Sequence, residues 1–221
     1  ECVGEALEDG KCGIDEMGMI FVSNNEPGSN EERQRHTGPM ISSLFQRKMP
    51  IVNTPAGCGG GGVALWNAIN QLNSSKANNV LVIGFDSILS NTTESVTNEI
   101  LMGGDRIYEQ TEGLVFPAQN ALVAQQHMLK FGTTTDDLAN VALKNHENAY
   151  LNPKARFYNK RVALKDIINS PIVASPLRLF DCSIPCNGAS AVIISKDKSD
   201  IEITGSGLST SNLSSFERDD M

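Results

Sequence analysis

One cysteine sits among five glycines in the stretch Thr-Pro-Ala-Gly-Cys-Gly-Gly-Gly-Gly: Cys58 is flanked by Gly57 on one side and by Gly59, Gly60, Gly61 and Gly62 on the other. An apolar, strand-like segment (Pro50–Asn53) precedes it and a helical pattern follows. A cysteine at a strand-to-helix elbow lies where the helix macrodipole and the unbonded amides of the first turn favour a thiolate, and so a nucleophile. The same amides are able to hold the oxyanion that develops when a nucleophile adds to a carbonyl. Each glycine costs a helix about 1 kcal/mol relative to alanine, a cost that makes sense where backbone must closely approach a ligand or another backbone. A small buried cysteine in a packing turn is the commoner fate of an arbitrary cysteine; the elbow context favours the nucleophile.

The other reactive residues carry less. No Gly-Lys-Ser/Thr follows the glycines, which excludes a Walker phosphate loop. A hydrolase elbow with a cysteine nucleophile reads G-x-C-x-G, but Ala56 holds the first position, and the available partners, His146 and Asp181, run in the wrong chain order for that fold. His146 lies near a helix end and reads as a cation on the helix dipole or a surface hydrogen-bonder. His36 and His127 have polar or helical neighbours that suggest no chemistry. Cys182 and Cys186 form C-x3-C with no second pair, which argues against a structural zinc site, and no metal site is expected. Cys2, Cys12, Cys58, Cys182 and Cys186 are odd in number, and no signal-peptide pattern is present, so free thiols in a reducing compartment fit better than a disulfide framework. The cytoplasm is the first expectation, with an organelle such as the peroxisome or mitochondrion as the alternative.

The elements that must position Cys58 are legible around it. Met19–Ser23 and Pro50–Asn53 read as strands, and the polar stretch 25–40, with Pro27, Gly28, Gly38 and Pro39, as a loop leading to a short helix over Ile41–Gln46. After the elbow, Val63, Trp66, Ile69 and Leu72 predict a helix with one buried stripe, and the almost wholly apolar run Asn79–Phe85 predicts a strand covered on both faces. Strand, elbow, helix and strand make a βαβ unit with a right-handed crossover. Helices follow over 92–103 and 117–132, the second with Pro117 in its first turn and Gly132 past its end, and then over 133–153, with Thr134 or Thr135 as cap and Asp136 and Asp137 in the first turn. The stretch 155–182 reads as extended or irregular, with a helical turn at Leu164–Asn169. Gly188–Ser195 and Ile201–Ser209 read as strands.

The 221 residues carry 18 Lys and Arg against 26 Asp and Glu, a net charge of −8. No basic cluster answers a phosphate backbone, so nucleic acid is not an expected partner. No apolar run approaches a membrane span. At roughly 100–200 residues per domain the length suits one large domain or two small ones.

Four blocks in order, VNTPAGCGGGGVALWNAI, NNVLVIGFDSI, LKNHENAYLNPKARF and INSPIVASPLRLFDCSIPCNGASAVIIS, resemble the thiolase superfamily, in particular its sterol-carrier-protein-x and archaeal acetyl-CoA acetyltransferase type. The resemblance implies an α/β fold, a thiolase-like layered N-terminal half with a mixed sheet, covering helices and an inserted, mostly helical loop domain. It maps the α/β core onto residues 1–90 and 181–221 and the loop domain onto 91–180. It implies an acyl-CoA acyltransferase in which Cys58 takes the acyl group for Claisen condensation or thiolysis, the Cys58 amide belongs to the oxyanion hole, and Gly59 to Gly62 allow close helix packing. It assigns no residue to coenzyme A, which enters only as part of the substrate, and no cofactor.

The departures are specific. Asn187 stands where the family usually has Asp before Gly, Pro185 sits one position late, and the cysteine's surroundings are richer in glycine than usual. The family's Gly-His-Pro histidine, carried by its second half, has no counterpart here. Two further readings follow: a non-catalytic thiolase-like subunit that binds coenzyme A or scaffolds a partner, and a ketoacyl- or hydroxymethylglutaryl-synthase type of condensing enzyme. The family's pairing implies a homodimer. Read against these blocks, the chain is short by a first strand and a second α/β half, so it is expected to be inactive alone and to leave an apolar face for the absent half or a partner subunit.

Overall fold

A computed structural model describes residues 1–25, 36–89, 92–214 and 217. Helix α1 (Cys2–Asp9) leads through a turn to strand β1 (Met17–Ser23), helix α2 (Thr37–Phe45), strand β2 (Ile51–Asn53), a tight turn at Gly57–Gly59, helix α3 (Gly60–Ser74) and strand β3 (Asn79–Asp86). Helix α4 (Thr93–Leu101), a π-turn at Arg106–Gln110, helices α5 (Phe116–Phe131), α6 (Thr135–Leu151) and α7 (Leu164–Ile168), and strands β4 (Ile172–Ala174) and β5 (Leu177–Arg178) follow, and strand β6 (Gly188–Ser195) comes last. These divide into two compact units, Glu1–Ser90 with Asn187–Thr210, and Asn91–Cys186 with Ser211–Met221.

The first unit is an α/β sandwich on a mixed sheet of order β2-β1-β3-β6. Strand β1 runs parallel to β2 and β3, and β6 is antiparallel to β3. Alternation along the strands sorts the core into two layers. Phe21, Val80, Val82 and Ile194 pack under α3, against Ala64, Ala68 and Leu72. Met17, Ile20, Val22, Leu81 and Ile83 face the other way, against Val3 and Leu7 of α1 and Ile41 and Phe45 of α2. A strand covered on both faces has no polar alternation to show, which is why the Asn79–Phe85 run is apolar from Val80 to Ile83.

Three sequence expectations change in this unit. The buried stripe of α3 is Gly60, Ala64, Ala68 and Leu72 rather than Val63, Trp66, Ile69 and Leu72. The small side chains lie at i, i+4 spacing and allow the helix close to the sheet, while Val63, Trp66 and Ile69 sit half-buried at its flanks. Helix α2 begins at Thr37, inside the stretch read as loop; Pro39 is tolerated in its first turn, where an amide has no helical partner to lose. The rest of that stretch, 26–35, lies outside the described residues. The expected strand at Ile201–Ser209 does not form: every residue there is exposed, and the segment joins neither sheet.

Beside α3 the sheet remains partly bare. Val52, paired with Phe21, and Val192, paired with Val82, lie on the α3 side of the two edge strands and are 39% and 45% exposed.

In the second unit, α6 packs on α7 through Ala139, Ala142 and Ile167, with Leu143, Val162 and Phe180 around them. β4 and β5 form an antiparallel hairpin in the stretch read as irregular. Residues 181–186 go with this unit, where Asp181 Oδ2 accepts from the Arg178 amide at 2.7 Å. Asp105 caps the π-turn, accepting from the Ile107 and Tyr108 amides at 2.8 and 2.9 Å, and its second oxygen accepts from buried Ser214 at 2.8 Å, tying the chain end to the unit. These hydrogen bonds, Tyr108 foremost, hold the Asp105 carboxyl below the usual range.

Thr134, one of the two expected caps, caps α6. Its hydroxyl accepts from the Asp137 amide, and Asp137 Oδ2 accepts from the Thr134 amide at 2.9 Å. These bonds from Thr134 lower the Asp137 carboxyl below its ordinary value. A carboxylate held low stabilises the fold above its unfolded pKa, about 3.9, and loses that contribution as pH falls through the folded value. The Asp137→Asn variant is expected to unfold at a lower temperature than the parent at neutral pH, with the difference shrinking as pH falls through the lowered folded value, as thermal unfolding across a pH series checks.

Candidate active site

The parallel strands bring their carboxyl ends to one edge of the sheet, the edge at which ligands bind in open α/β sheets. Ser23, Asn24 and Asn25 leave β1 there, Thr54 leaves β2, and Asp86 ends β3. Cys58 lies in the turn between β2 and α3 at this edge and is exposed.

The elbow is seated by three contacts. The Thr54 amide and hydroxyl both donate to the Val22 carbonyl, at 2.8 and 3.0 Å, extending the β1–β2 pairing beyond the strand end. Gly57 has φ +52°, in the left-handed region where a side chain costs about 1–2 kcal/mol. A Cβ on Gly60 would overlap the Ser23 hydroxyl and stand 3.4 Å from the Thr54 carbonyl, so α3 starts at van der Waals contact with the end of β1.

The other glycines behave differently. A Cβ on Gly59, Gly61 or Gly62 would meet nothing within 4 Å among the described residues. Of the four glycines expected to permit close packing, Gly60 alone does so in the described structure. Gly59, Gly61 and Gly62 leave the mouth of α3 bare, and no side chain caps the helix there. Beside Cys58 the helix therefore starts with backbone rather than side chains.

A second layer holds the β1 end. The Asn24 side-chain amide donates to the Phe85 carbonyl at 3.0 Å, and the Asn25 backbone amide donates to Asp86 Oδ1 at 2.8 Å. The Asn25 side chain in turn lies against Gly57, its Oδ1 being 3.7 Å from where a Cβ would stand. Sequence reasoning did not single out Asn25 or Asp86; a polar pair just past two apolar strands is the only signal they leave.

The remaining candidates belong to the second unit. His146 Nε2 meets the Phe180 carbonyl at 3.1 Å, and its ring stands edge-on to Phe157 and Phe180, with centroids 4.6 and 5.5 Å away. Asp181 is engaged with the Arg178 amide, so the His146–Asp181 couple of the hydrolase reading does not form. Burial first, and then the neighbouring Asp181 charge, push the Cys182 thiol above its ordinary value, away from nucleophile or redox work. His127 Nδ1 pairs with the Thr133 hydroxyl at 2.8 Å. Among the described residues no group of three or more His, Cys, Asp or Glu is placed to hold a metal, and no helix is long and apolar enough to cross a membrane.

Comparison with known proteins places these features in context. Residues 1–180 match the thiolase N-terminal domain family. An acetyl-CoA acetyltransferase of Methanothermobacter thermautotrophicus is 32% identical over 189 residues, 86% of this chain and 49% of that protein. A 17-hydroxy-3-oxo-4-pregnene-20-carboxyl-CoA lyase of Mycobacterium tuberculosis is 34% identical over 50% of this chain and 28% of its own. The solved Ltp2-ChsH2(DUF35) aldolase superposes with a TM-score of 0.64 at 22% identity, covering 86% of this chain and 48% of that one. The chain spans about half the length of the archaeal acetyl-CoA acetyltransferases it matches, 49% and 46%.

The glycines separate by position, which makes them testable one at a time. Gly57→Ala is expected to destabilise this chain by about 1–2 kcal/mol through its positive φ, and Gly60→Ala by about 1–3 kcal/mol through overpacking. Gly61→Ala and Gly62→Ala, facing open space in a helix, are expected to stabilise it by about 0.5–1 kcal/mol. Chemical denaturation of the four variants checks the order.

Proposed function

The chain belongs to the thiolase N-terminal domain family, and on that premise we propose that it is the nucleophile-bearing part of a thiolase-like acyl-CoA acyltransferase, with Cys58 as the nucleophile. The observation that carries this reading is the exposed Cys58 in a glycine-only elbow at the carboxyl edge of the sheet. The 32% identity to an archaeal acetyl-CoA acetyltransferase supports the same chemistry.

In the proposed reaction the Cys58 thiolate adds to the thioester carbonyl of an acyl-CoA. The carbonyl oxygen takes the developing charge, which in this proposal backbone amides at the elbow, that of Cys58 among them, receive. The carbon–sulfur bond to coenzyme A breaks, coenzyme A leaves as a thiolate that takes up a proton, and the acyl group remains on Cys58 Sγ as a thioester. A second acyl-CoA, deprotonated at its α-carbon, then attacks this thioester to form a carbon–carbon bond and free Cys58; thiolysis is the reverse course. The acid and base for that second step are assigned to the half of the relatives that this chain does not span. A symmetric homodimer is part of the proposal.

The lyase relative, at 34% identity over half of this chain, favours a second reading, lyase chemistry on a coenzyme A thioester, which we propose would carry no acyl group on Cys58. The two separate on one measurement. The complete protein incubated with acetyl-CoA is expected to gain one acetyl group on the Cys58 peptide, with release of an equal amount of coenzyme A, and Cys58→Ala is expected to gain none. A folded parent that carries no adduct on Cys58 sinks the acyltransferase reading and leaves the lyase or a non-catalytic coenzyme-A-binding scaffold.

A further inference from the structure

We propose that Asp86 is a positioning residue for Cys58, acting through Asn25; the inference deepens the acyltransferase reading and rests on it. The backbone ladder between β1 and β3 ends at Ser23 opposite Gly84. Beyond that point the pairing continues through side chains, first Asn24 Nδ2 donating to the Phe85 carbonyl and then the Asn25 amide donating to Asp86 Oδ1 at 2.8 Å. Asp86 itself stays on a rigid element, because β3 remains paired with β6 as far as Asp86 opposite Gly188. Its carboxylate is therefore held from the sheet side and reaches across to a residue that has already left the sheet.

Asn25 is the residue that the elbow leans on. Its Oδ1 lies against Gly57, the left-handed residue immediately before Cys58. Ser23, two residues earlier on the same segment, is the group that Gly60 touches immediately beyond the cysteine's other neighbour. The chain from Ser23 to Asn25 thus lies along the elbow on both sides of Cys58, and Asp86 is the anchor at its far end. A hydrogen bond from a backbone amide to a carboxylate is charge-assisted and stronger than a neutral one, which suits a segment leaving a strand with no further ladder to hold it. Loosening this anchor lets the elbow drift, and misplacement of about 1 Å in a reacting group costs on the order of a hundredfold in rate.

The test uses the complete protein with Asp86→Ala, which removes the acceptor, and Asp86→Asn, which keeps an acceptor oxygen but no charge. Acylation of Cys58 by acetyl-CoA is followed as a function of substrate concentration, with hydrogen exchange at the amides of Asn25, Gly57 and Cys58 measured on the same samples. Asp86→Ala is expected to slow the maximal acylation rate by about ten- to a hundredfold with KM nearly unchanged, while Asp86→Asn stays within about threefold of the parent. Exchange at the three amides is expected to quicken in Asp86→Ala and not in Asp86→Asn. If Asp86→Ala does not fold, Asp86→Ser, whose hydroxyl falls short of the amide, replaces it with the same expectations. An Asp86→Asn as slow as Asp86→Ala overturns the proposal, because charge rather than positioning then matters. Parental exchange in the anchor-less variant overturns it too. A parent without an adduct on Cys58 sinks the acyltransferase reading instead, and the anchor is then judged by the exchange pattern alone.

Discussion

The closeness with which α3 lies on the sheet sets the geometry of this α/β unit, because the helix starts at the residue pair that presents Cys58. Gly60, Ala64, Ala68 and Leu72 are the residues it buries, and small side chains at i, i+4 spacing let the helix axis approach Phe21, Val80 and Val82. At the first of these positions no side chain fits, since the Ser23 hydroxyl occupies the space. The elbow before the helix must then turn within a few residues, and it does so through the positive φ of Gly57. A nucleophile placed by such a turn stands clear of its own strand and helix, which is the general reason that strand-to-helix elbows carry reactive side chains.

Polar ends of apolar strands complete the arrangement. β1 and β3 are buried on both faces and owe their pairing to the backbone ladder, which ends where the chain must diverge. From there the side chains of Asn24, Thr54 and Asp86 take over with hydrogen bonds to neighbouring backbone, Asp86 accepting from the Asn25 amide. Such bonds satisfy groups that would otherwise end a ladder unpaired. The second unit uses the same device at its helix and turn starts, where Asp105 and Asp137 accept first-turn amides. His146, a histidine that sequence inspection considered for catalysis, serves packing there: its ring nitrogen meets the Phe180 carbonyl while two phenylalanine rings stand against its faces and edges.

Much of the architecture was legible because it follows from local rules. The apolar β-branched run at Asn79–Phe85 can only be a strand covered on both sides, and it is. Pro117 and Gly132 bracket α5 as a first-turn proline and a left-handed glycine should. Thr134 with Asp137 caps α6 by reciprocal hydrogen bonds of its own turn. The stripe of α3 was misread because what it packs on is distant in sequence. Val63 and Trp66 looked like the core stripe of α3 because bulk was taken for burial, whereas a helix pressed against a sheet buries its small residues and carries the large ones at its margins. Ile201–Ser209 read as a strand, yet among the described residues it pairs with none and stays exposed.

The amino-acid sequence by itself determined the element types, the elbow and its cysteine, and the family, since periodicity, capping and a run of glycines around one thiol are local properties of the chain. Tertiary structure alone decided which glycine is indispensable and which residues hold the elbow in place. Gly57, Gly60, Gly61 and Gly62 are chemically identical, and only the Ser23 hydroxyl beyond one of them and the backbone angle of another tell them apart. Asn25 and Asp86 are 61 positions apart, and no local pattern links them. They meet because β1 and β3 are neighbours in the sheet, and sheet order is settled by the packing of whole layers.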